Sequence, residues 1–279
     1  MRPTVRPGAP WATRRTYDRP VADPSLTVTV LLGLAALAAG FVDAVVGGGG
    51  LIQLPALLLG LPGAAPVQVL GTNKLASICG TTVSSATYYR RVRPDPKTFG
   101  PLMLLAFAGS VLGALVASHI PSAAFDPIVL VALIVVGGYV LLRPALGEAS
   151  ALRFSGHRHT IAAMVTGLGI GFYDGALGPG TGSFFVFTLV GLLGYSFLEA
   201  SAKARLANWA TNLAALCVFV PHGAVLWKIG LVMGVCNLTG GYVGARTAVR
   251  RGTRFVRVFF ILVVSAFIVR IGGGILGVW

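Results

Sequence analysis

The chain repeats itself once, and the repeat restricts the folds open to it more than any other feature. Shifted by 131 residues, Gly40-Phe41 falls on Gly171-Phe172, Asp43 on Asp174, and Gly47 and Gly49 on Gly178 and Gly180. In the same frame Leu58, Gly60, Leu61 and Gly63 fall on Leu189, Gly191, Leu192 and Gly194. Lys74-Leu75-Ala76 falls on Arg205-Leu206-Ala207, and Gly109 and Gly113 fall on Gly240 and Gly244. No gap is needed from Gly40 to Gly113. What one copy forms, the other must form, and the contact between copies is where a shared site is expected.

Apolar runs near 26–45, 51–61, 67–90, 98–118, 124–142, 160–177, 183–197, 200–220, 225–246 and 255–277 make up most of both copies. Only 11% of residues are charged and mean hydropathy is +0.82, against about 25% charged in a soluble domain. Several runs are long enough to cross a hydrocarbon core of ~30 Å. In lipid a chain satisfies its backbone only as helices or a closed barrel, and no ten-residue alternation supports a barrel. The expected fold is an all-α polytopic membrane protein, multi-pass in the cell membrane, with the lipid bilayer as its first partner. Gly- and Pro-rich breaks split the pairs 26–61 and 160–197, so each pair is one discontinuous unit. Each repeat is then a broken-helix unit followed by three spanning segments. The expected organisation is a basic, disordered tail over 1–25, repeat 1 over 26–145, a linker over 146–159 and repeat 2 over 160–279. The tail and Leu26 onward resemble a secretory signal, with Ala36-Leu37-Ala38 like a cleavage site. Because the same stretch recurs in mid-chain, it is expected to be a retained helix.

The net charge of +14 does not point to nucleic acid. The basic residues fall in short segments between apolar runs: Arg90, Arg91, Arg93 and Lys97; Arg143, Arg153 and Arg158; Arg246, Arg250, Arg251, Arg254 and Arg257. That is the pattern of cytoplasmic loops beside anionic lipid. Segment 91–97 is basic while 119–123 carries no Lys or Arg; in the second copy the turn near 221–228 has only Lys228, and 246–257 holds five arginines. Equivalent loops therefore lie on opposite sides, and inverted repeats are expected. The same rule puts both termini outside, against the basic tail. Cys79, Cys217 and Cys236 all lie in apolar runs, and His119, His157, His159 and His222 have no ligand-spaced partner. No metal or cofactor is expected.

Chemistry narrows to three paired features. Asp43 and Asp174 are the carboxylates inside apolar stretches, each just before a Gly-rich break. A carboxylate at membrane depth costs several kcal/mol unless paired, protonated or hydrated, so proton or cation coupling is one expectation and hydrogen bonding to the break is the other. The breaks, Gly47-Gly48-Gly49-Gly50 and Gly178-Pro179-Gly180-Thr181-Gly182-Ser183, leave half-helix N-termini whose free N–H groups form anion sites. Lys74 and Arg205 each begin a polar helical face, continued by Ser77 and Thr81 in one copy and Asn208 and Asn212 in the other. The candidate anion-binding set is Gly48, Gly49, Gly50, Asn73, Lys74, Ser77, Thr81, Gly180, Thr181, Gly182, Arg205, Asn208 and Asn212, with Asp43 and Asp174 for ion coupling. Gly109/Gly113 and Gly240/Gly244 are GxxxG pairs that permit close helix contact, within the chain or across a homodimer.

The strings GFVDAVVGGGGLIQLPALL and GTNKLAS, with weaker second copies GFYDGALGPGTGSFFVF and ASAKARLANWATNLAAL, resemble the TauE/SafE family of sulfite and organosulfonate exporters. The matching positions are Asp43, Gly47–Gly50, Asn73, Lys74, Asp174, Gly178, Gly180, Arg205, Asn208 and Asn212. Pro179 and Thr181 make the second run less pure than the first. The resemblance implies a secondary transporter, not an enzyme, that exports a small sulfur-containing anion such as sulfite, thiosulfate or an organosulfonate. Two other functions are weighed against it. A passive anion channel would share the same site. An intramembrane aspartyl protease would use Asp43 and Asp174, but Val42 and Tyr173 stand where its signature has Gly, and Lys74 and Arg205 would have no role.

Overall fold

The structure is a computed structural model that describes residues 24–117, 131, 134 and 147–275. Most of the tail, all of the segment expected over 124–142 but residues 131 and 134, and His119 and Arg143 lie outside the described residues.

Helix α1 (Leu26–Val46) starts where the Ser25 hydroxyl accepts from Val28 N at 3.3 Å and stops at Gly47, whose φ of 83° ends it. Helix α2 (Gly50–Gly60) then folds back along α1. A Cβ at Gly60 would lie 3.2 Å from the Val28 side chain, near the start of α1, and one at Gly49 would lie 2.5 Å from the Ala39 carbonyl oxygen. The two helices form a hairpin with the Gly run at its tip. Helix α3 (Pro66–Val92) takes Pro at its first position, where no N–H is needed, and ends at Arg93 in the left-handed region. Helix α4 (Pro96–Val116) is capped by Asp95, which accepts from Lys97 N and from the Thr98 hydroxyl.

The second half repeats this order. Helix α5 (Gly156–Ala176) leads to α6 (Thr181–Thr188), which runs into a single π-helical turn at Leu189–Leu193 closed by left-handed Gly194. Helix α7 (Phe197–Phe219) is capped by Ser196, which accepts from Glu199 N. Element α8, Trp227–Ile275, is two helical segments that meet at a kink at Gly252. One boundary differs from the expected organisation. Residues 156–159 of the expected linker are the first turn of α5. The runs 225–246 and 255–277 are two helices, as expected, parted by a kink at Gly252, whose φ of 74° and ψ of −169° leave helical geometry.

Packing comes in exchanged pairs. The most extensive helix contacts join α4 to α5 and α1 to α8. In the first, Cβ atoms at Gly109 and Gly113 would lie 2.3 and 2.0 Å from the carbonyl oxygens of Leu168 and Phe172. In the second, those at Gly240 and Gly244 would lie 2.0 and 2.5 Å from the carbonyl oxygens of Leu37 and Phe41. Leu168 and Phe172 are the repeat equivalents of Leu37 and Phe41. The same backbone contact is therefore built twice, each copy lending its GxxxG face to the other's first helix, and in both cases the two helices run parallel. Both GxxxG pairs are thus used within the chain.

Helices α1, α4 and the span Trp227–Gly273 of α8 are long and apolar enough to cross a membrane. Their outward faces expose Leu31, Leu34, Leu104, Leu112, Val235, Leu262 and Val269, as lipid-facing surfaces do. Helices α3, α5 and α7 are more polar because they carry the residues that meet at the centre.

Candidate functional site

The two breaks meet in the middle of the molecule. A Cβ at Gly47 would lie 2.1 Å from the Gly182 carbonyl carbon, and one at Gly182 would lie 2.7 Å from Gly47 Cα. Backbone touches backbone there, and at Gly47 the positive φ also excludes a side chain. Around this crossing stand the ends of α1 and α5, which carry Asp43 and Asp174, and the middles of α3 and α7, which carry Lys74 and Arg205.

These charges pair across the copies. Lys74 Nζ lies 2.6 Å from Asp174 Oδ2, both side chains 2% exposed. Arg205 Nη1 lies 2.9 Å from Asp43 Oδ2, at 0% and 15% exposure. Each repeat thus supplies the cation for the other repeat's carboxylate. Sequence reasoning assigned the acids to coupling and the cations to anion binding; in the structure each acid is ion-paired to a cation of the other copy. Asp43 is further held by Gly49 N at 3.3 Å, one N–H group of the break, and by Asn208 Nδ2 at 3.4 Å. Arg205 Nη1 also donates to the Asp43 carbonyl. Of the two expectations for Asp43, the hydrogen bond to the break is present, from Gly49 N.

A small polar cavity of about 20 Å³ lies beside the pairs, lined by Asp43, Gly48, Gly50, Asn73, Lys74, Ser77, Asp174, Gly178, Gly180, Thr181, Gly182, Asn208 and Asn212. That is room for one or two waters. Of the candidate residues, Gly49 and Thr81 lie off the cavity. Gly49 serves Asp43, and the buried Thr81 hydroxyl bonds to the Ser77 and Ile78 carbonyls of its own helix. Arg205 stands behind the cavity, completely buried under Gly182. Apart from Asp174 Oδ2, which faces Lys74 Nζ, four polar atoms here are buried without a hydrogen-bond partner: Asn73 Oδ1, Asn212 Nδ2, and Arg205 Nε and Nη2. Buried polar groups are rarely left so, and three of the four are donors.

Sequence reasoning missed a second buried group beside the site. Asn237 Nδ2 donates to Gln53 Oε1 at 2.8 Å, and Gln53 Nε2 donates to the Asn73 carbonyl at 3.3 Å. Both side chains are buried. This link ties α2 to α3 and α8. Its repeat equivalents are Phe184 and Ala106, so the second copy lacks it. The available signal was an amide inside an apolar run in one copy alone. Tyr173, whose hydroxyl donates to the Pro179 carbonyl at 2.6 Å and so steadies the second break, was likewise not singled out for that role.

The family model described as sulfite exporter TauE/SafE matches residues 32–271. A probable membrane transporter protein, ORF9, of a Sinorhizobium species is 38% identical over 251 residues, 89% of this chain and 94% of its own length. A probable membrane transporter protein of Haemophilus influenzae is 34% identical over 236 residues, 84% of this chain and 91% of its own. The probable membrane transporter protein YfcA of Escherichia coli K12 is 34% identical over 239 residues, 84% of this chain and 87% of its own. No solved structure matches the chain.

Proposed function

This chain belongs to the TauE/SafE family of membrane transporters, and from that premise we propose that it exports a small sulfur-containing anion by alternating access between two inverted repeats. The observation that carries the proposal is the central one: two buried cations, exchanged between copies, beside a polar cavity at two half-helix N-termini with donors left over. A sulfonate or sulfite group takes several hydrogen bonds and benefits from charge-assisted donors. Asn212 Nδ2 and Arg205 Nη2 are such donors without acceptors.

Inversion is supported by the direction of the helices. The hairpin of α1 and α2 begins and ends on one face, α3 crosses to the other, and α4 returns, so α4 opposes α1. Helix α5 runs parallel to α4, as the Gly109–Leu168 and Gly113–Phe172 contacts require, so the second copy starts from the opposite face. The same path gathers Arg90, Arg91, Arg93, Lys97, Arg153, Arg158 and the arginines near Gly252 on one face, which the positive-inside rule makes cytoplasmic.

The cavity is too small for an oxyanion while both ion pairs are closed. An entering anion must take Lys74 or Arg205 from its aspartate, and the released carboxylate then needs a proton or a cation. Binding and coupling become one event. Exchange of the two pairs between the copies lets the site open to either face by motion of one repeat against the other. Export is downhill for a dianion in an inside-negative cell: about 2.3 kcal/mol per charge per 100 mV gives roughly 4.6 kcal/mol, or more than a thousandfold gradient at about 1.4 kcal/mol per tenfold. Proteolysis is less well supported, because it needs two carboxylates sharing a proton and here each faces its own cation.

The test is uptake of labelled sulfite, thiosulfate and sulfoacetate into proteoliposomes. A carrier gives saturable flux of at least one anion and accelerates counterflow when the same anion is trapped inside. Flux that neither saturates nor supports counterflow would identify a channel, and no flux of any of the three by folded protein would refute the substrate class.

A further inference from the structure

The two copies diverge beyond the ion pairs, along α3 and α7. From Lys74 towards the arginine-rich face, Ser77, Thr81, Ser84, Ser85 and Tyr88 follow at helical spacing, on the side of α3 that carries Lys74. From Arg205 towards the opposite face, the equivalent side of α7 carries Asn208, Asn212, Ala215, Leu216 and Phe219. For two turns both rows are polar. After that the hydroxyls continue in α3, and hydrocarbon takes over in α7.

The polar row begins in the site, because Ser77 lines the central cavity. It ends at Tyr88, whose hydroxyl donates to the Ala44 carbonyl at 3.0 Å, one residue from Asp43. The Ser201 side chain of α7 lies within reach of the same hydroxyl. The Tyr88 ring is fully buried in the apolar cluster of Val45, Val46 and Phe185, so the row is closed there in this structure. In the other copy the positions of Ser201 and Tyr88 are held by Leu70 and Phe219. Leu70, Ala215, Leu216 and Phe219 are buried together in one apolar cluster. Leu70 stands against the second break, where a Cβ at Gly178 would lie 3.8 Å from it and 3.7 Å from the Asp174 carbonyl oxygen.

The fold therefore does not need hydroxyls at these positions, and two observations show what they suit. Ser85, 6% exposed, has its Oγ buried without a hydrogen-bond partner, a group that water or an anion satisfies once α3 and α7 part. Asp43, beside the polar row, is 15% exposed, against 2% for Asp174 beside the hydrocarbon. The ends of the helices follow the same division. On the arginine-rich side the Asp95 carboxylate accepts from the Thr98 hydroxyl at 2.8 Å, Thr98 Oγ1 accepts from the Tyr195 hydroxyl at 3.0 Å, and Tyr195 Oη lies 2.7 Å from His159 Nε2. Their equivalents, Leu226, Ile229, Ala64 and Val28, pack in the apolar cluster of the other side.

We propose that the anion reaches the central site from the arginine-rich face along this side of α3, past Tyr88, Ser85, Ser84 and Thr81. Leu70, Ala215, Leu216 and Phe219 form a dry seal on the opposite side, and the empty carrier opens to the arginine-rich face in preference to the other. The proposal rests on the transporter reading above. Parting α3 from α7 on the arginine-rich side wets hydroxyls, whereas parting them on the other side wets Leu and Phe side chains, and apolar constrictions exclude water and ions. Tyr88 is the latch of the path: its bond to Ala44 ties α3 to α1 where the row is closed.

The test is cysteine labelling of the empty carrier in a Cys79→Ala/Cys217→Ala/Cys236→Ala background. A membrane-impermeant, negatively charged methanethiosulfonate is added to one face at a time of oriented proteoliposomes. Ser77→Cys and Ser85→Cys are expected to react at least about tenfold faster from the arginine-rich face than from the other, since thiol reactivity follows access. Leu216→Cys, at the position equivalent to Ser85, is expected to react at least about tenfold more slowly than Ser85→Cys from either face. Ser85→Cys unreactive from the arginine-rich face would overturn the proposal, as would Leu216→Cys reacting from the opposite face as fast as Ser85→Cys from its own. A second measurement keeps the native cysteines. Ser85→Leu/Tyr88→Phe gives α3 the residues that α7 already holds at these positions, and is expected to fold and to cut thiosulfate counterflow at least about tenfold by making the path apolar. Counterflow by this variant within about twofold of wild type would overturn the path and leave the transporter standing. No counterflow by wild type would overturn the transporter reading itself, and the path with it.

Discussion

The exchanged ion pairs predict how their own removal will behave. Lys74 and Asp174 are each 2% exposed and 2.6 Å apart. Changing Lys74 to Met keeps the length of the side chain and leaves a carboxylate buried without its cation; Asp174→Asn leaves a buried ammonium facing an amide. Breaking a buried pair from one side costs about 3–5 kcal/mol, whereas replacing both partners by neutral groups of similar volume is often neutral. Each single variant should therefore lose about 3–5 kcal/mol of stability and Lys74→Met/Asp174→Asn no more than about 1–2 kcal/mol. The coupling between the positions is then at least about 3 kcal/mol, beyond what unconnected sites show. The assay is reversible denaturation of all four proteins in one detergent, followed by tryptophan fluorescence. Additive losses, or single variants within about 0.5 kcal/mol of wild type, would refute the account of the pair as buried and mutually dependent.

Three other outcomes follow from particular contacts. Gly113→Ala places a Cβ 2.0 Å from the Phe172 carbonyl oxygen, while Gly63→Ala meets nothing within 4 Å; the first should cost about 1–3 kcal/mol and the second should be near neutral, in the same denaturation assay. Asn237→Ala removes the donor to the buried Gln53 carbonyl and should cost about 1–3 kcal/mol, while the equivalent position, Ala106, already shows that the fold accepts a small apolar residue there. Asp95 is mostly exposed; burial pushes its carboxyl up, but the bonds from Thr98 and Lys97 N outweigh this and hold it below its ordinary range. Its cap on α4 is accordingly complete above a pH of about 4 and fades only as pH falls through the lowered value. Asp95→Ala should cost about 1 kcal/mol at neutral pH and flatten that acid dependence of thermal stability.

The helix order, the two breaks and the residues around the central cavity were legible because the repeat marks them twice. Asp43 and Asp174 could be singled out as intramembrane carboxylates, and Lys74 and Arg205 as their basic counterparts, without knowing that they touch. The pairing itself lies between residues that no local periodicity links: Arg205 and Asp43 are 162 positions apart. Exchange symmetry would have found it, since two acids and two cations at equivalent positions in an apolar interior neutralise each other most symmetrically across the copies. What the repeat does not share was harder to see. The Gln53–Asn237 link and the Asp95–Thr98–Tyr195–His159 chain exist in one half only, so they carry no internal echo.

The central claim is that the anion passes through the site of the exchanged ion pairs. The most direct measurement is counterflow of labelled sulfite and thiosulfate in proteoliposomes, wild type against Lys74→Met/Asp174→Asn, the variant expected to fold. Saturable counterflow by wild type, reduced at least a hundredfold in the variant at equal amounts of folded protein, is the predicted result. Counterflow by the variant within about twofold of wild type would contradict the claim and move the transport path away from Lys74 and Asp174.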